Sequence, residues 1–67
     1  MTKQTLEKLA AEIPQAKTFL DNRKAVYQKT DKKDDVRGEI RGYLAGLRTM
    51  GAISDTEFRV LFSYYTI

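Results

Sequence analysis

With neither cysteine nor histidine among these 67 residues, the side chains left for metal ligation are carboxylates. Disulfides, thiolate and imidazole metal ligands, and Cys or His nucleophile–base chemistry are thereby excluded. The carboxylates are Glu7, Glu12, Asp21, Asp31, Asp34, Asp35, Glu39, Asp55 and Glu57. Their spacing matches no metal-binding motif, and several stand where the amino-terminal turn of a helix favours an acidic residue. An enzyme needs an activated nucleophile, an acid–base pair or a metal. The expectation is therefore a non-catalytic protein with no cofactor, no metal and no small-molecule substrate.

Two other residue types recur with a spacing that matters. Arg37, Arg41 and Arg48, four and seven residues apart, fall on one flank of a helix. Guanidinium groups suit phosphate or carboxylate in a bidentate geometry, so nucleic acid or an acidic partner is a candidate contact. The alternative is a solvated flank whose arginine stems cover apolar edges. Gly38, Gly42 and Gly46 recur every four residues, with Ala45 beside them. A glycine inside a helix costs about 1 kcal/mol relative to alanine, so three of them call for an offsetting gain. Close approach of a second helix is the natural one. That helix could be the amino-terminal part of the same chain, a second copy or a foreign protein. Arginines within the segment rule out the membrane version of this motif.

These residues must be held by helices. Leu6, Leu9, Ile13, Ala16, Leu20 and Tyr27 follow the helical period, with Arg23 standing at an apolar place in the series. Arg23 is either a polar specifier paired across a helix seam or a side chain reaching to water. Pro14 interrupts the stripe and must kink one helix or open a second. The polar run 28–35 reads as a connection. Val36, Ile40, Tyr43, Leu44, Leu47 and Met50 then form another helical stripe, with the first five expected in the core. Gly51 suits the left-handed position that ends a helix. Ser54 and Glu57 form a capping-box pattern, with Ile53 and Phe58 placed as a hydrophobic staple, so a last helix starts at Asp55.

The fold class expected is all-α, one domain over 1–67. It is a small bundle of three helices, or four if Pro14 separates two, with a capped helix-turn-helix hairpin in its carboxy-terminal half. In the last helix Phe58, Leu61, Phe62 and Tyr65 share an apolar face. Val60, Tyr64 and Ile67 point elsewhere as a second apolar patch of the kind used in interaction surfaces. A DNA-reading helix is not expected there, because Asp55-Thr56-Glu57-Phe58 would turn two carboxylates toward phosphates.

Residues 44–58, Leu-Ala-Gly-Leu-Arg-Thr-Met-Gly-Ala-Ile-Ser-Asp-Thr-Glu-Phe, resemble the short helical hairpin known as the SHOCT domain. That family carries Leu, Leu, Gly, a β-branched residue, Ser or Thr, then Glu-Phe. The resemblance implies a role in interaction or oligomerisation. Phe62, Tyr64 and Tyr65 depart from it, since the family is polar and lysine-rich there. More loosely, residues 35–66 look like small proteins of phages and mobile elements of Gram-positive bacteria.

A net charge of +3 and a pI near 9.3 are mildly basic, which assists contact with nucleic acid or an acidic protein without requiring it. No apolar run approaches the roughly 20 residues of a membrane span, and no signal peptide is recognised. A cytoplasmic setting is the expectation. The function expected is protein binding or regulation through helix–helix contacts, with self-association as one form of it. The alternative is weakly sequence-specific nucleic-acid binding through Arg37, Arg41 and Arg48.

Overall fold

Pro14 separates two helices. The computed structural model describes residues 1–67, with α1 over Thr2–Glu12 and α2 over Pro14–Lys29. Ile13 is the hinge, at φ −137° and ψ 70°, closing one helix and opening the next. Its N–H donates to the Leu9 carbonyl at 2.8 Å, and its own carbonyl accepts from Ala16 and Lys17 at 3.0 and 3.2 Å. Pro14 falls at the first helical position, where its missing N–H would have had no partner anyway.

The polar run 28–35 is mostly helical, contrary to its reading as a connection. α2 continues to Lys29 and α3 spans Lys33–Thr49, which leaves only residues 30–32 between them. Side chains at the junction make this sharp turn possible. The Thr30 hydroxyl accepts from the Lys32 N–H at 3.0 Å. Lys33 donates to the Tyr27 carbonyl at the end of α2, and its ammonium stands 4.9 Å from the Tyr27 ring centroid. A cation at a helix carboxy-terminus answers the carbonyls left unpaired there.

The turn from α3 into α4, Asp55–Tyr65, is built as its residues dictate. Gly51 sits at φ +79°. Its N–H donates to Arg48 at 3.0 Å and that of Ala52 to Leu47 at 2.9 Å, the paired bonds of a Schellman ending. Ser54 and Glu57 then cap each other. The Glu57 N–H donates to the Ser54 hydroxyl at 3.1 Å, and the Ser54 N–H donates to the Glu57 carboxylate at 2.8 Å. Ile53 and Phe58 on either side are both buried.

The four helices close a ring in which each packs on the next and α4 returns to α1, with α2 also touching α4 across the centre. α1 and α3 therefore sit at opposite corners and do not touch. Twelve side chains are buried, all apolar or tyrosine, and Leu20, Ile40, Leu44, Leu61 and Tyr65 are fully enclosed. The accessible surface is 4396 Å², close to the roughly 4300 Å² expected of a folded monomer of this mass. No helix is long and apolar enough to cross a membrane.

One ion pair ties the capping box to α1. Lys8 Nζ lies 2.8 Å from the second carboxylate oxygen of Glu57. That bond, followed by the Ser54 N–H, holds the Glu57 carboxyl below its ordinary value near 4.5. A carboxyl depressed in the fold adds stability above its unfolded value and loses it as pH falls through its folded one. Acid titration below about pH 4.5 should therefore lower the melting temperature of the native protein more than that of Glu57→Gln, with the two curves converging at the acid end. Parallel curves would show that Glu57 contributes no pH-linked stability.

Candidate interaction face of the third helix

At about 100° per residue, α3 presents three surfaces. Val36, Ile40, Leu44 and Leu47 are buried and define its inner face. Met50, grouped with them by spacing, is 75% exposed. It stands where the helix ends and the chain turns away at Gly51, so no neighbour remains to cover it. Tyr43 is half-buried at the edge of the core.

Gly38, Gly42 and Gly46 point away from the core. Gly42 lies roughly 160° around the helix from Ile40 by the same geometry. All three are exposed, and a methyl group added at any of them would meet nothing within 4 Å beyond its own stretch of helix. The reading in which these glycines receive the amino-terminal helix of the same chain is therefore wrong. The physical reason is the ring order: α1 is held by α2 and α4 at the corner opposite α3. What remains is a smooth outward track, unfilled by the fold. Ala45 beside it is half-buried and packed against the core margin.

The arginine flank runs along one side of the track, and two of its three members are engaged within the fold. Arg37 donates to the Tyr27 hydroxyl at 2.7 Å and lies 4.0 Å from Asp34. Arg48 covers the Phe58 ring, its guanidinium carbon 4.3 Å from the centroid, and lies 3.7 Å from Asp55. Arg41 is exposed and has no ion-pair partner. The shallow hollow on this side is lined by Gly38, Arg41, Gly42, Ala45, Arg48 and Phe58. Its chemistry is that of one free guanidinium above a bare backbone. Arg48 borders the same hollow, whereas Arg37 stands outside it.

The opposite margin is apolar and was not singled out from the sequence. Tyr43 packs on Phe19 of α2 with ring centroids 4.4 Å apart, and Phe19 is itself 38% exposed. Tyr43 and Met50, with Gly42 and Gly46, line a second shallow hollow. Below it Arg23 bridges the two helices, its Nη1 lying 3.3 Å from a Glu39 oxygen and its guanidinium 6.0 Å from the Phe19 ring. Of the two readings of Arg23, the paired one holds. An exposed pair of this kind is worth only about 0.2–1 kcal/mol. The spacing of seven that relates Tyr43 to Met50 was the available signal for this margin, since it places both on one flank of the helix.

The second apolar patch is partly consumed by the fold. Tyr64 is half-buried and meets Tyr65 edge to face at 4.9 Å. Lys24 of α2 lies 4.2 Å from its ring centroid and donates to its carbonyl at 2.7 Å. Val60 is half-buried, and Ile67 is 74% exposed. These residues do come together, in a shallow trough that Thr2, Arg59 and Ser63 complete, where Ile67 is the member left largely free. The most enclosed hollow of the molecule lies between α1 and α4 and holds about 10 Å³, room for one water molecule at most. Comparison with family models, curated proteins and solved structures finds no match for this chain.

Proposed function

We propose that this chain is a non-catalytic binding module in which the outer face of α3 receives a helix from another polypeptide, a second copy included. The reading rests on one observation: three helix-interior glycines face solvent, opposite the core, with nothing of the fold laid over them. A helix keeps such glycines at a cost of about 1 kcal/mol each, and the fold itself gains no packing from any of the three. Backbone-close docking of a partner helix supplies the missing gain, because small residues let two helix axes approach. The free Arg41 guanidinium on one side and the Tyr43–Met50 margin on the other give such a helix a polar edge and an apolar edge. The likeness of residues 44–58 to SHOCT hairpins implies the same class of role. A small regulator of the phage or mobile-element kind, inside the cell, is the setting this reading favours.

Gly42→Gln tests it. Glutamine is a better helix former than glycine and has open space to enter, so the variant should melt no lower than the native protein. Its side chain would stand in the track and weaken association at least tenfold, about 1.4 kcal/mol. Sedimentation velocity at high protein concentration measures this for self-association. Titration measures it for a foreign partner recovered by cross-linking. A partner held equally by the native protein and Gly42→Gln overturns the reading.

A further inference from the structure

We draw no further inference here: the strongest candidate, the shallow trough between the first turn of α1 and the outer side of α4 lined by Thr2, Arg59, Val60, Tyr64 and Ile67, carries nothing because no feature of the structure shows what would cover it.

Discussion

Replacing Gly38, Gly42 and Gly46 together by alanine should raise the melting temperature by roughly 10–20 °C. Each glycine in a helix interior gives up about 1 kcal/mol relative to alanine through the greater freedom of its unfolded chain. Nothing lies within 4 Å of the added methyl groups, so no clash offsets the gain. The three sites are successive i, i+4 neighbours of one helix, so their gains add only approximately, to about 2–3 kcal/mol. For a domain that holds roughly 3–10 kcal/mol in total, that is a large change. Gly51 is the internal control. At φ +79° an alanine there is strained, and Gly51→Ala should lower stability by about 1–2 kcal/mol. Thermal melts of the two variants should move in opposite directions. If the triple variant gained nothing, the glycines would have no standing cost, and the observation behind the proposed function would lose its force.

Tyr65 gives the largest loss. Its ring is fully buried at the end of α4, and its hydroxyl donates to Asp21 of α2 at 2.9 Å. Lys17 holds the other oxygen of the same carboxylate at 2.6 Å. Tyr65→Ala empties the volume of a large aromatic and should cost about 3–5 kcal/mol, enough to leave much of the protein unfolded at ambient temperature. Tyr65→Phe keeps the volume and removes only the bond to Asp21, which is partly exposed and retains Lys17. About 1–2 kcal/mol is expected for that change, read from urea midpoints at neutral pH. Burial first, then Asp21, raises the Tyr65 hydroxyl above its ordinary value of 10.0. The fold thus holds this proton more firmly than the open chain does. Its contribution is complete below about pH 10 and is lost as pH rises beyond that. The gap between native protein and Tyr65→Phe should narrow in alkali. A gap independent of pH would separate the hydroxyl from the alkaline transition.

The parts of the fold legible in the sequence are those decided within a few neighbouring residues. Gly51, Ile53, Ser54, Glu57 and Phe58 fix a helix end, a turn and a helix start through contacts no more than six residues long, and each stands as its type requires. Pro14 fixed a break but not its angle, which Ile13 sets. The run 28–35 was misread because polarity marks exposure and not irregular backbone. Lys29 and Lys33 are exposed helical residues, and the turn between them is short because side chains close it. The glycine face was legible as an angle, since Gly42 lies nearly opposite Ile40. Its emptiness was not, because that depends on where α1 goes, and α1 is placed by pairing with α2 and α4. Arg37 and Arg48 carry the same lesson: their spacing showed a stripe, whereas Tyr27, Asp55 and Phe58, which engage them, come from other helices.

The ring order has a consequence for how the molecule breathes. α1 contributes one buried side chain, Leu9, and is secured otherwise by the half-buried Leu6 and Ile13 and the Lys8–Glu57 bridge. Local opening of such a segment requires less free energy than global unfolding, and α1 can detach without uncovering any contact made by α3. Amide hydrogen exchange should accordingly divide the chain, with α1 exchanging before α2, α3 and α4. Occupancy of α3 would slow exchange in that slower block and leave the α1 amides nearly unchanged. One end of this small protein could then loosen and re-form while the opposite corner stayed engaged.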